Sequence, residues 1–399
     1  MSFTTEKKRL YLLTWATAGL VGLALVSSLL AGCVTQMAPA ATATPTRTTA
    51  PTDTPPPTFT PTPLPPSETP TPAFTPTPSP LPENVNPLTG EVVDDVSALE
   101  RVPVAIKISN WPGRYVRPQA GLNSADIIYE HYNEGWFGTR FTTIFLGQSP
   151  EKVGPVRSGR IIDLELPAIY KAVFACSGFS NGVLALMKDS DLYPDQVVSE
   201  SLPQTLAPSP FYRDRSRDVP LEHTMYTSPA RVRDWAAEHG MNGRQELGGM
   251  LFSIEPPEGG VPATTIAIPW NHLEAEWRYD ESSGQYLRWS DGTPHRDALT
   301  GEQLNVTNVV LLYVPQWNTD IVEDPHSGAL SIRWALWDSN RAVILRDGVQ
   351  IEAFWQRWER SDMLTLTDEE GDPIPLKPGS TFFEVLPAQE EHWIDVTIQ

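Results

Sequence analysis

A run of proline and threonine from Pro45 to Pro82 constrains this chain more than any other feature. Of its 38 residues, 15 are Pro and 12 are Thr. It offers few apolar side chains and few backbone donors, so it cannot build a packed core. An extended, polyproline-like stalk is expected, reaching on the order of 100 Å at ~3.1 Å per residue. Its threonines are candidate O-glycan acceptors on composition alone. On one side lies a short N-terminal segment. On the other lies a head from about Asn86 to Gln399, roughly 310 residues, long for one core and natural for two domains.

The N-terminal segment has three parts. Lys7-Lys8-Arg9 is a charged n-region, an apolar run begins at Leu10, and Leu30-Ala31-Gly32-Cys33 closes it. That order is the signature of a bacterial lipoprotein signal with its lipobox. Small Ala31 and Gly32 let an extended backbone enter a peptidase, and the Cys33 thiol is the nucleophile able to carry a thioether-linked diacylglycerol with palmitate-type chains. Residues 1–32 are therefore expected to leave as a signal peptide, Cys33 to be lipidated, and residues 33–85 to form the stalk. The competing reading is an uncleaved anchor, since Leu10 to Leu30 is just long enough to span a bilayer. Both readings place the head on the extracytoplasmic face of the cell membrane, and two acyl chains suffice to hold it there.

The formal charge is −20. Removing the signal takes away Glu6, Lys7, Lys8 and Arg9, a net +2, which leaves −22. A surface this acidic repels phosphate backbones and excludes nucleic acid as a natural partner. It also excludes a polybasic membrane patch, leaving the lipid as the anchor. Of the two cysteines, lipidation would consume one, so Cys176 has no intrachain partner. Within Ala172-Val173-Phe174-Ala175-Cys176 it reads as a small buried hydrophobe.

The head divides by pattern. In the first part, 86–258, strands are expected over Val102–Ile108, Asp126–Glu130, Phe141–Leu146 and Lys171–Cys176. Helices are expected over Arg160–Tyr170 (interrupted near Pro167), Asn181–Lys188 and Pro229–His239, the last with Ser228 as N-cap, Pro229 at its first position and Gly240 beyond it. This alternation gives an α/β sandwich-like domain. The second part, 261–399, is expected to be a smaller, mostly antiparallel β domain, making the class α+β. Leu273–Tyr279 and Gln285–Trp289 flank the turn Asp280–Gly284. Val306–Val314 is an apolar strand, Ala342–Leu345 and Gln350–Trp358 flank Arg346-Asp347-Gly348, and Pro373–Pro378 and Thr381–Leu386 complete the set. Nine of the 13 tryptophans fall in this part. Core packing accounts for them, with a sugar-stacking face as the alternative.

Several motifs resemble the YerB-like group of bacterial lipoproteins. They are Asn86-Pro87-Leu88-Thr89-Gly90, Arg117-Pro118-Gln119-Ala120-Gly121-Leu122, Ala125-Asp126-Ile127-Ile128-Tyr129-Glu130, Gly154-Pro155-Val156-Arg157-Ser158-Gly159-Arg160 and His223-Thr224-Met225-Tyr226-Thr227-Ser228. Val343 to Gly348 and Leu376-Lys377-Pro378-Gly379 resemble that group's second domain. Two positions depart from its pattern: Gly159 stands where alanine is usual, and Thr224 where asparagine is common. The resemblance implies a two-domain extracytoplasmic lipoprotein and supplies no activity.

The strongest chemical candidate is Gly154 to Arg160, a turn carrying Arg157, Ser158 and Arg160 into an expected helix start. Free amides and guanidinium groups there would bind an anion. Arg213, Arg215 and Arg217 are candidates to converge on the same cleft, and Asn110 and Arg117 are further ligand-binding candidates. The plainer reading pairs Arg157 or Arg160 with Asp126, Glu130 or Asp163 to fix the fold. Asp126, Glu130 and His223 are the one conceivable acid–base set. The seven histidines show no metal-ligand spacing, and no nucleotide-binding fingerprint or cofactor motif occurs. The expected function is therefore a membrane-anchored protein binding an anionic envelope ligand, such as a cell-wall component, or an envelope partner protein. A hydrolase or transferase acting on wall glycan or peptide, and a solute-binding lipoprotein, are the alternatives.

Overall fold

The computed structural model describes residues 81–203, 208–389, 392 and 394–399, with backbone alone at Trp136. The signal peptide, Cys33, the stalk to residue 80 and Trp393 lie outside the described residues.

The expected class holds: a mixed α/β N-terminal region is followed by a largely antiparallel β region. In chain order the first region supplies β1 (Val104–Ser109), β2 (Ile127–Tyr132), β3 (Thr139–Phe145), β4 (Val173–Cys176), α1 (Asn181–Lys188), β5 (Val197–Ser199) and α2 (Pro229–Glu238). The second supplies β6 (Thr265–Trp270), β7 (Leu273–Asp280), β8 (Gln285–Ser290), β9 (Asn308–Val314), β10 (Gln316–Asp324), β11 (Ala329–Trp334), β12 (Asp338–Arg346), β13 (Val349–Arg357), β14 (Thr365–Thr367) and β15 (Thr381–Pro387). One large sheet runs β14-β13-β12-β9-β15-β2-β3-β1-β4-β5, with Val261–Pro262 added to β13. Strands of both regions therefore share a single ladder, joined where β15 lies parallel to β2 on one side and to β9 on the other.

Strands β1, β2 and β3 are buried along their whole length. A strand buried on both faces loses the alternation of a half-exposed one. One face is covered by β6, β7 and β8, which form a second antiparallel sheet with short strands at 293–294, 305–306 and 397–398. The other is covered by the segment 161–169, on which α1 and the hairpin of β10 and β11 pack in turn. Each covering layer meets polar side chains as well as apolar ones, and that places the site.

Local chemistry explains the element ends. The Ser228 side chain accepts from Arg231 N at the start of α2, Pro229 takes the first position, and Gly240 follows at φ +77°. The α1 boundaries match the expected ones, capped by Ser180. The expected helix 160–170 is instead a 3-10 turn, Ile161–Leu164, followed by a single helical turn, Leu166–Ile169. The Asp163 carboxylate reaches back to Arg160 N at 2.7 Å, which locks the tight turn. The expected strand Val306–Val314 breaks at Thr307, because Asn305–Val306 pairs with β8 and Asn308–Val314 with β12 and β15. Gly379, at φ +138°, packs against Thr307 so closely that a Cβ would stand 2.0 Å from its Oγ1. Pro373–Pro378 forms isolated bridges at Pro373 and Leu376, since its prolines withhold ladder donors.

Candidate functional site

Two polar clusters lie on opposite faces of the central strands. On the face toward the second sheet, Arg288 of β8 bridges Glu130 of β2 and Glu384 of β15; all three side chains are fully buried. Asn110 and Thr139 donate to Glu130, and Trp277 Nε1 donates to Glu384 at 2.8 Å. His295 contacts Arg288 and Ser290 through Nδ1 and Gln119 through Nε2. Gln119 in turn donates to Asn110 Oδ1, as does Arg117 Nε. Burial, and then the neighbouring Glu130 charge, push the Glu384 carboxyl up to about 8. Two carboxylates facing one guanidinium in an apolar shell reach neutrality by keeping a proton. With no exposed surface on any of its three charged side chains, the cluster is closed.

The opposite face begins with a second closed pair. Lys107 Nζ lies 2.9 Å from Asp163, 2.6 Å from His131 Nε2 and 2.8 Å from Thr142 Oγ1, all fully buried. His131 Nδ1 faces the Tyr132 carbonyl at 2.8 Å. That contact makes Nδ1 the protonated nitrogen and Nε2 the acceptor for the ammonium group. Burial, opposed by Asp163, brings Lys107 down to about 8. Lys107 O also accepts Arg157 N at 3.0 Å, so this pair anchors the loop above it.

That loop carries the candidate site. Arg140, opposite Ser109 and His131 in the ladder, sends Nη1 to Ser158 O at 2.6 Å. Arg160 Nη1 reaches the same carbonyl at 3.4 Å. Arg157 flanks Ser158 and donates Nη1 to Glu222 O at 3.1 Å, while its buried Nε has no hydrogen-bond partner among the described residues. Arg160 is matched: Nε pairs with Glu134, and Nη1 with Glu323 of β10 at 3.0 Å. Burial opposes its charge, but the two carboxylates overcome that and raise its pKa. Arg140 is not matched. It is 8 % exposed, and among the described residues it forms no ion pair. Burial, then Arg160 and Arg157, press its pKa well below the ordinary arginine value, against a weaker pull from Glu134 and Glu323. Arg157 is pressed down by burial and then by Arg160. The Ser158 and Ser177 hydroxyls, 3.4 Å apart, complete the rim.

His223 is 3 % exposed, stacks on Tyr115 at 5.4 Å, and leaves Nδ1 buried without a hydrogen-bond partner among the described residues. Burial, then Arg157, lower its pKa. Arg217 holds the Arg117 carbonyl through Nη2, with Nη1 unpartnered among the described residues.

The other sequence candidates are distributed as follows. Arg213 pairs with Glu200 at 3.0 Å and donates to Leu221 O. Arg215 is exposed and has no hydrogen bond or ion pair among the described residues. Arg117 pairs with Asp291 at 2.7 Å. Asn110 belongs to the closed Glu130 cluster. Asp126 is tied to Asn86 and to the amides of Leu146 and Gly147, and burial raises its pKa. Asp126, Glu130 and His223 thus each have separate surroundings. Cys176 is buried and free, its thiol pushed up to about 12 by burial. Gly159, the departure from the usual alanine, faces Phe179, whose Cε1 would stand 2.5 Å from an added Cβ.

Sequence reasoning missed Arg140, which lies just before the expected strand Phe141–Leu146; the strand begins two residues earlier, at Thr139, and carries Arg140 into the buried ladder. Among the described residues no group of His, Cys, Asp and Glu could hold a metal ion.

Known proteins supply a frame for this geometry. Residues 88–242 match the N-terminal domain of DUF3048, described as a protein of unknown function, and residues 266–383 match its C-terminal domain. A Bacillus subtilis (strain 168) protein named "Putative lipoprotein YerB" is 27% identical over 305 residues, spanning 75% of this chain and 86% of that one. A crystal structure of the YerB protein from Bacillus subtilis aligns with a TM-score of 0.65 at 25% identity, covering 78% of this chain and 99% of that one.

Proposed function

The chain belongs to the DUF3048 family, whose N- and C-terminal domains it carries in order; on that footing we propose that it is a lipid-anchored, extracytoplasmic protein that binds an anionic ligand of the cell envelope through Arg140 and Arg157. The observation that carries the reading is Arg140, a buried guanidinium that forms no ion pair among the described residues, because the two carboxylates whose charge reaches it, Glu134 and Glu323, are paired with Arg160; beside it lies the half-buried Arg157. A buried charge is costly unless paired. A protein of net charge −20 has carboxylates to spare, so two crowded cations mark a place where an external anion belongs. Arg160 is the scaffold of this site, and Arg157 and Arg140 are its hands. The anchoring reading rests on Lys7 to Cys33 and on the lipoprotein name of the relative. A hydrolase reading would need Asp126, Glu130 or His223 to act together, and their separate partners give it no support.

The test uses the full chain. Soluble anionic fragments of purified cell wall should raise its melting temperature, and Arg140→Gln and Arg157→Gln should each remove that response while the protein stays folded. An unchanged response in both folded variants would sink the binding reading. Palmitate labelling that persists in Cys33→Ser would sink the anchor.

A further inference from the structure

The inference here rests on the binding reading above and specifies the charge of the anion. Around the Ser158 carbonyl stand three cations, Arg140, Arg157 and Arg160, and two carboxylates, Glu134 and Glu323. The surrounding pairs are each internally balanced: Lys107 with Asp163, Lys152 with Asp214, Arg213 with Glu200, and Arg117 with Asp291. Arg217 and Glu222 add one charge of each sign. His223 is neutral, because burial and Arg157 disfavour its charged form. Among the described residues whose charges act on Arg140, Arg157 or Arg160, the excess is therefore a single positive charge, on side chains that are buried or half-buried.

We propose that the site is built for a singly charged anion, a phosphodiester or a carboxylate, and rejects a phosphate monoester. One negative charge neutralises the excess. A second would be stripped of water without a partner, inside a protein whose overall field already repels anions. The Ser158 and Ser177 hydroxyls offer neutral hydrogen bonds suited to the remaining oxygens of such a group. Both a polyol-phosphate polymer and an acidic wall sugar present this charge, and the probes below separate them.

The experiment is calorimetric titration of the full chain in detergent at about pH 8, where a phosphate monoester is almost wholly a dianion. Four probes are compared: dimethyl phosphate, acetate, methyl phosphate and inorganic phosphate. Dimethyl phosphate or acetate should bind about tenfold more tightly than methyl phosphate, as expected for one unmatched charge in a poorly hydrated site. The tighter of the two monoanions identifies the source. Glu323→Gln removes one balancing carboxylate, so it should shift preference toward methyl phosphate. Equal or tighter binding of the dianions to the unaltered protein overturns the proposal while leaving anion binding intact. Binding of none of the four probes, together with no response to wall fragments, overturns the reading beneath it as well.

Discussion

The two faces of the central strands solve one problem in opposite ways. Toward the second sheet, Arg288 meets Glu130 and Glu384, and the surplus negative charge is removed by holding a proton on Glu384. Toward α1 and the β10–β11 hairpin, Arg140 and Arg157 crowd the matched Arg160, and among the described residues no further carboxylate pairs with the surplus positive charge. Burial alone does not distinguish a structural cluster from a binding site. What distinguishes them is whether the count of charges closes within the fold. Removing a cation should therefore have opposite consequences on the two faces.

The largest effect is expected at the closed face. Arg288→Met leaves Glu130 and Glu384 buried together without a counter-ion. Breaking a buried pair in this way costs about 3–5 kcal/mol, read as a drop in the denaturation midpoint. A loss under about 1 kcal/mol would mean that the carboxyls share protons or water freely, and the contrast between the faces would weaken. Arg140→Met at the open face keeps the aliphatic stem and deletes an unmatched charge. Its melting temperature without ligand should be unchanged or higher. A loss comparable to that of Arg288→Met would show that Arg140 is matched after all.

The pH dependence of the closed face follows next in size. The Glu384 carboxyl sits at about 8 in the fold against an ordinary glutamate value near ~4.3 when unfolded. Its folded value is the higher, so the folded state binds the extra proton between those limits. The contribution is fully present below the unfolded value and is lost as pH rises through the folded one. Glu384→Gln stays neutral throughout and should flatten the decline of stability across that window, measured by urea denaturation at several pH values. Parallel curves for the two proteins would assign the proton elsewhere.

How much of this was legible beforehand depends on the range of the interaction. The caps of α2, the α1 boundaries and the turn at Gly284 follow from a few adjacent residues, and they were read correctly. The join of β15 between β2 and β9 pairs residues some 250 positions apart in one direction and some 70 in the other, and no local pattern encodes it. The same limit hid the partners of Glu130 and Arg160. Glu130 looked like an acid–base candidate because Arg288 lies 158 residues away. Arg160 looked like a ligand-binding residue because Glu323 arrives on a hairpin from the other half of the chain. Arg157 and Ser158 stand out in the sequence because their turn is locally unusual, whereas Arg140 lies just before the expected strand Phe141–Leu146 and carries no local signal.

The smallest effect, and the finest probe of the contrast, is expected at His223. It faces Arg157, Arg217, Arg140 and Glu222, and it stacks on Tyr115. Burial first, and Arg157 second, hold it neutral below the ordinary histidine value. Its folded value is depressed, so the unfolded chain takes up the proton first as pH falls below about 6.5. Acidification therefore destabilises the unliganded protein through this group. Once protonated, His223 adds a second positive charge to the open face, so a bound anion should recover part of that loss. The thermal shift produced by dimethyl phosphate or acetate should grow as pH falls below that value, and His223→Gln should abolish the growth without abolishing binding. If the shift instead shrinks with acidification in both proteins, His223 does not face the anion, and the open site is confined to Arg140 and Arg157.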